Sequence, residues 1–121
     1  MKNIIIADDE TWIRKLVGDF LRQAGYNVIE AQDGDEAYEL FIKHKDSLSL
    51  IILDIMMPGL NGWEVTKKIR ETSNLPVIIL TARSEEFDEL MGYESGADDY
   101  VTKPFSPSIL VKRVEALLRR S

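Results

Sequence analysis

The sequence predicts an open, doubly wound α/β domain: five β–α pairs forming a five-stranded parallel sheet of order 2-1-3-4-5, with helices on both faces. Hydrophobic periodicity alternates along the whole chain between two residues and 3.6 residues, with no repeat, low-complexity tract or linker between segments. Three strand segments are nearly unbroken runs of Ile, Leu and Val, as strands covered on both faces require. A length of 121 residues suits one compact domain.

NIIIA (3–7) reads as the first strand, followed by a helix from about 10 to 24. That helix places Ile13, Leu16, Val17, Phe20 and Leu21 on one stripe and stops at Gly25. YNVIEA (26–31) is the second strand and DGDEAYELFIKH (33–44) the second helix. LSLIILD (48–54) leads to a helix near 62–72, PVIIL (76–80) to one near 85–95, and DYVTK (99–103) to one over about 107–119. Strands two and five carry Asn27, Glu30, Asp99 and Thr102, which places them at the sheet edges. Right-handed crossovers then give the flavodoxin-like order 2-1-3-4-5, whose ligand crevice lies between strands one and three, beyond their C-terminal ends.

Composition removes several function classes. The chain is 45% hydrophobic and 30% charged, enough for a real core, and has no cysteine for disulfides or thiolate metal sites. MKNIII turns acidic too early for a signal peptide, and no apolar run reaches membrane-spanning length, so a reducing, cytoplasmic location is the default expectation. A net charge of -6 and a pI near 4.8 argue against nucleic-acid binding by this domain itself. Lys112, Arg113, Arg119 and Arg120 bunch where cations favour a helix C-terminus.

The predicted topology gathers carboxylates. Asp8 and Asp9 end strand one and Asp54 ends strand three, beside the same crevice. Two carboxylates about 4 Å apart repel by roughly 4 kcal/mol at an effective dielectric near 20, so such a cluster either raises its pKa values or recruits a cation. His44 is the only histidine, so the ligand set is all oxygen and favours a hard ion, Mg²⁺ above all. A plainer alternative for IIIADDE is an Asp9 N-cap with Glu10 in the first helical turn. Thr81 ends strand four and Lys103 strand five; singly they read as a satisfied hydroxyl and a solvated charge. Together with the acids they supply metal ligands, a nucleophilic carboxylate, a hydroxyl donor and an ammonium. That set suits transfer of a phosphoryl group onto a carboxylate.

The strings ADDE, LDIMMPGLNG, LTAR and GADDYVTKPF stand in the order and spacing of a response-regulator receiver domain of bacterial two-component signalling. Over essentially its whole length the chain resembles this CheY-like family, and most of all the OmpR/PhoB-like receivers that precede a winged-helix DNA-binding domain. The resemblance implies that a sensor histidine kinase phosphorylates Asp54. It implies Asp9 as a direct ligand of Mg²⁺ (or Mn²⁺), Asp8 acting through a water, Asp54 itself, and the backbone carbonyl of Met56. It gives Thr81 a hydrogen bond to the phosphoryl group, Lys103 an ion pair with it, small Ala82 the role of leaving room, and the Lys103–Pro104 bond a cis geometry. The protein would then be a switch rather than a conventional enzyme, catalysing only its own phosphotransfer and dephosphorylation.

The resemblance also implies that phosphorylation draws Thr81 inward, turns Tyr100 behind it, and moves the face built by the fourth helix, fifth strand and fifth helix. Gly92 within the fourth helix favours mobility or, equally, close packing. Two receivers would pair through that face, with Asp98, Asp99 and Arg113 in its charged fringe. Glu89 stands where a basic residue is common and Ile109 where an acidic one is common, so Glu89 is expected to meet Lys112 across the dimer, or the dimer to be weaker. Met56 and Arg83 occupy positions that tune hydrolysis, and their bulk predicts a phosphorylated state lasting minutes or longer. Trp12 is the expected kinase contact, with Ile13 and Leu16 in the core. Residues 1–121 would be the N-terminal receiver of a longer regulator that meets DNA only through its output domain. The other readings are a stand-alone receiver acting by protein binding, a pseudo-receiver, a flavodoxin-like electron carrier and an aspartate-nucleophile phosphatase. The phosphatase normally needs an acid where this chain has Met56, and ADDE would repel a flavin phosphate.

Overall fold

A computed structural model describes residues 1–82 and 96–120. In chain order it contains β1 (Asn3–Ala7), α1 (Thr11–Gln23), β2 (Asn27–Ala31), α2 (Gly34–His44), β3 (Leu48–Asp54), α3 (Gly62–Arg70), β4 (Val77–Thr81), β5 (Asp99–Thr102) and α4 (Pro107–Arg120). Here α4 is the last of the five helices the sequence predicts. The helix expected near 85–95, with Arg83, Glu89 and Gly92, lies outside the described residues.

All strand pairs are parallel and the order is β2-β1-β3-β4-β5, as the polarity of the strands predicts. Alternate side chains of the central strands enter two cores. Ile5, Ile51, Leu53, Val77 and Ile79 meet Phe41 of α2 and Val65 and Ile69 of α3 on one face. Ile4, Ile6, Leu50, Ile52, Ile78 and Leu80 meet Ile13, Val17 and Leu21 of α1 and Leu110, Val114 and Leu117 of α4 on the other. Register aligns the functional ends: Ala7 lies opposite both Ala31 and Leu53, Asp54 opposite Leu80, and Thr81 opposite Thr102.

Local chemistry starts and stops the helices. Gly25, at φ 98°, follows α1 in the left-handed conformation that ends helices. The Asp33 side chain accepts from the Glu36 N–H at 2.8 Å at the start of α2. Asn61 and Glu64 form a reciprocal capping box on α3, each bond 2.9 Å.

Some details differ from expectation. Leu16 does not join the core: Ile13, Val17 and Leu21, four residues apart, take the buried line of α1, and Leu16 on its flank is 38% exposed. Phe20 is only half-buried. α1 begins at Thr11, so Glu10 is its N-cap residue rather than part of its first turn, and makes no side-chain cap bond. α3 stops at Arg70, two residues early, and β4 runs one residue later than the PVIIL segment, taking in Thr81.

A carboxylate cluster at the strand ends

The last pleats of β1 and β3 are apolar, so the chain drives Asp8 and Asp54 into a buried position. Asp8 is fully buried and Asp54 is 4% exposed. The Asp8 N–H donates to Ala31 O at 3.1 Å, carrying the β1–β2 ladder one residue beyond the strand. Its Oδ1 accepts from the Glu10 N–H at 2.9 Å, and its Oδ2 from Lys103 Nζ at 3.1 Å. Asp9 next to it is exposed. Asp8, Asp9 and Asp54 each offer an oxygen within 4.8 Å of the others, the one group among the described residues arranged to hold a metal ion.

Lys103 reaches into this cluster from the end of β5. Its ammonium lies 3.3 Å from Asp54 Oδ1 and 3.9 Å from Glu10 Oε1, besides its bond to Asp8. Its backbone N–H donates to Thr81 O at 2.6 Å, which ties the end of β5 to the end of β4. Thr81 is buried and Ala82 beside it is exposed. Lys103–Pro104 is cis. Tyr100 is half-buried against the core of the α2 and α3 face.

Burial sets the electrostatics. Loss of solvent raises the Asp54 pKa from 3.8 to about 6, and the Asp8 charge adds to it, while Lys103 and the Met56 N–H work against the rise. Asp8 is raised as well, first by burial and then by Asp9, against the Glu10 N–H and Lys103. Burial alone would lower Lys103, but the charges and hydrogen bonds of Asp54 and Asp8 outweigh it and leave the net shift upward. One ammonium faces three carboxylates, so the fully ionised cluster keeps an excess of negative charge that a divalent cation would cancel.

Backbone packing shapes the acceptor side. The loop from Ile55 to Asn61 is pinned by Ile55 N–H to Leu80 O at 2.9 Å, Gly62 N–H to Ile55 O at 3.1 Å and Gly34 N–H to Pro58 O at 3.4 Å. Gly34 approaches that loop so closely that a Cβ there would lie 1.7 Å from Leu60 O, and a Cβ on Gly62 would lie 2.7 Å from Asp54 O. Met56 in the loop is 72% exposed.

Asp8, Asp9, Asp54 and Lys103 are thus brought together, with Thr81 and Ala82 on the adjacent strand end. The residues expected at a dimer fringe lie at the other end of the β5–α4 side and have partners within the chain. Asp99 binds Arg113 at 2.9 Å. Asp98 binds Arg70 at 2.9 Å and accepts the Val77 N–H at 2.8 Å. Lys112, highly exposed, lies 3.8 Å from Glu115. Asp9 does not cap α1, and the Glu10 carboxylate accepts from Trp12 Nε1 at 3.1 Å and faces Lys103. Sequence reasoning missed Arg14, whose guanidinium donates to Asp8 O at 2.6 Å and to Glu30 at 3.2 Å. The signal was present as Glu30, an acid on a strand bordering a basic residue one helical turn into α1. A cavity of about 350 Å³ opens beside Lys103, walled by Trp12, Leu16, Ala82, Pro104 and Phe105. No described helix is long and apolar enough to cross a membrane.

Residues 4–115 match the family model described as the response regulator receiver domain. The transcriptional regulatory protein CpxR of Escherichia coli is 46% identical over 121 residues, 100% of this chain and 51% of CpxR. SrrA of Staphylococcus aureus, also a transcriptional regulatory protein, is 47% identical over 118 residues, 98% of this chain and 48% of SrrA. The chain therefore spans about half the length of these curated relatives. Among solved structures, the Francisella response regulator 1452 receiver domain superposes with a TM-score of 0.90 at 36% identity, over 99% of this chain and 98% of that one. The relatives are regulators of the OmpR/PhoB type, and the chain belongs to the response regulator receiver domain family.

Proposed function

We propose that this chain is the phosphoacceptor switch of a two-component system, taking a phosphoryl group from a sensor histidine kinase onto Asp54. The observation that supports this reading is the setting of Asp54: a buried carboxylate with Asp8 and Asp9 oxygens within 4.8 Å and Lys103 Nζ at 3.3 Å. An Asp54 oxygen attacks the phosphorus of a phosphohistidine. A P–O bond forms, the P–N bond breaks, and its electron pair stays on the imidazole nitrogen, which takes up a proton. Attack by water on the resulting acyl phosphate later releases phosphate and restores Asp54.

Asp54 must be ionised to act, and burial resists that up to a pH of about 6. Asp9 and Asp54 would hold Mg²⁺ (or Mn²⁺) directly, Asp8 through a water and Met56 through its backbone carbonyl. The all-oxygen donor set with two buried acids fits a hard divalent ion. When bound, the ion supplies the positive charge that lets a phosphoryl dianion approach this acidic crevice. Lys103, already between Asp8 and Asp54, would pair with a phosphoryl oxygen. Thr81 would donate its hydroxyl to that group, and Ala82 would leave space for it. Met56, and Arg83 outside the described residues, would slow the attacking water.

The added charge is read by the β5–α4 side. Drawing Thr81 toward the phosphoryl group makes room for Tyr100 to turn inward, and two chains pair through this face. Asp98, Asp99 and Arg113 would exchange their present partners for contacts across the dimer, with Lys112 facing Glu89, a residue outside the described part. The kinase would approach the exposed Trp12 and the cavity next to it. Residues 1–121 then act as the N-terminal receiver domain of a regulator whose DNA-binding domain supplies the transcriptional output.

Incubation with phosphoramidate or acetyl phosphate and Mg²⁺, followed by intact mass measurement, tests the chemistry. One added phosphoryl group is expected, lost in Asp54→Asn and in excess chelator. A wild-type chain that gains none refutes the reading.

A further inference from the structure

Arg14 makes contacts that the phosphoryl chemistry does not use. Its side chain is only 12% exposed, deep for a guanidinium on the first turn of a surface helix. It donates to three segments: NH1 to the Asp8 carbonyl at 2.6 Å, Nε to Glu30 Oε1 at 3.2 Å, and NH2 to Thr11 Oγ1 at 3.3 Å. Glu30 is held in turn by Arg22 NH2 at 3.5 Å.

In a parallel strand the N–H and C=O of one residue point toward the same neighbour. The Asp8 N–H finds Ala31 O on β2, but β2 ends at Ala31, so the ladder has no further donor for the Asp8 carbonyl. Arg14 supplies that donor. Its bond fixes the plane of the Asp8–Asp9 peptide, and with it the direction in which Asp9 leaves the backbone. The side-chain oxygens of Asp8 are separately pinned by Glu10 and Lys103. Asp9, exposed, depends on its backbone for placement. Glu30 neutralises the guanidinium and orients its fork, so Arg14 contributes direction rather than net charge.

We infer that Arg14, braced by Glu30, is a positioning residue that presets the Asp8–Asp9 pair for a divalent cation. This rests on the reading of the acidic cluster as a Mg²⁺-dependent phosphoacceptor site. Lysine cannot replace it, because one ammonium does not span the Asp8 carbonyl, Glu30 and Thr11 in a fixed plane.

Calorimetric titration of Mg²⁺ into the wild type, Arg14→Gln, Arg14→Lys and Glu30→Gln separates the possibilities, with urea unfolding in chelator run on each. Outer partners of metal ligands typically carry about 10-fold to 100-fold in affinity. Arg14→Gln and Arg14→Lys are expected to bind Mg²⁺ at least about 10-fold more weakly, and Glu30→Gln to be weakened in the same direction. The phosphorylation rate of each variant should recover when Mg²⁺ is raised to saturation. Variants that unfold more easily yet bind Mg²⁺ as the wild type does would overturn the positioning role and leave Arg14 a structural tie. If Arg14→Gln does not fold, wild-type Mg²⁺ affinity in Arg14→Lys and Glu30→Gln would overturn it equally. A wild type that binds no Mg²⁺ overturns this inference together with the site reading, and is recognised by failing before any variant is compared.

Discussion

Replacing Asp54 by asparagine should make the protein more resistant to unfolding as the pH rises, relative to wild type. The native state holds the Asp54 proton up to about pH 6, against 3.8 for an unperturbed aspartate. Between those values the folded chain binds more protons than the unfolded one, so wild-type stability falls as pH rises through this window. A shift of that size corresponds to about 3 kcal/mol once Asp54 is fully ionised, of which about 1 kcal/mol is already lost at pH 4.5. Asparagine does not titrate. The difference in unfolding free energy between Asp54→Asn and wild type should therefore grow by about 2 kcal/mol from pH 4.5 to pH 7.5. Lys103 stays charged throughout, and its attraction for ionised Asp54 is already contained in the native pKa, so it adds no separate pH-dependent contribution. Urea unfolding in chelator at the two pH values measures the change directly. Mg²⁺ at pH 7.5 should narrow the gap, because a cation that binds only the folded wild type stabilises it by mass action. A difference independent of pH, or one that shrinks toward pH 7.5 without metal, would refute the claim that Asp54 is ionised against the preference of its surroundings.

Gly34→Ala places a methyl group 1.7 Å from the Leu60 carbonyl oxygen, backbone against backbone. Overpacking of about 1–3 kcal/mol or more should outweigh the roughly 1 kcal/mol that alanine brings to a helix, giving a net loss on urea unfolding and slower phosphorylation through the displaced loop of Met56. Asp33→Ala removes the cap bond to the Glu36 N–H and should cost about 1 kcal/mol by the same measurement, without altering phosphorylation. Sedimentation with and without beryllofluoride tests the dimer: a rise in mass is expected, and an unchanged mass would sink the proposed pairing of the β5–α4 face.

What could be read from the sequence follows from how locally each feature is written. Strands β1, β3 and β4 announce themselves because both their faces are buried, so no polar residue interrupts them. Asp8, Asp54, Thr81 and Lys103 are legible as neighbouring strand ends because parallel topology carries every strand end to one side of the sheet, however far apart the residues are in the chain. Leu16 lies outside the core although it shares the apolar stripe, because periodicity gives the centre of a buried stripe and not its width, which depends on how closely α4 and the chain after β5 approach α1. The contacts of Glu10 with Trp12 Nε1 and Lys103 are not legible in the sequence, because they depend on where α1 begins and where β5 ends. Arg14 and Gly34 escaped for a related reason. Their partners are a backbone carbonyl beyond a strand end and the main chain of a loop, and neither leaves a mark in periodicity or composition.

The hydrogen bond between Lys103 and Asp8 joins residues 95 positions apart. A chain emerging from the ribosome makes Asp8, Asp9 and Asp54 early but has no ammonium to set among them until β5 has been added to the sheet edge. The acidic cluster therefore gains Lys103 only once β5 is in place, and a nascent or broken chain that lacks β5 keeps Asp8 and Asp54 without the ammonium that lies between them.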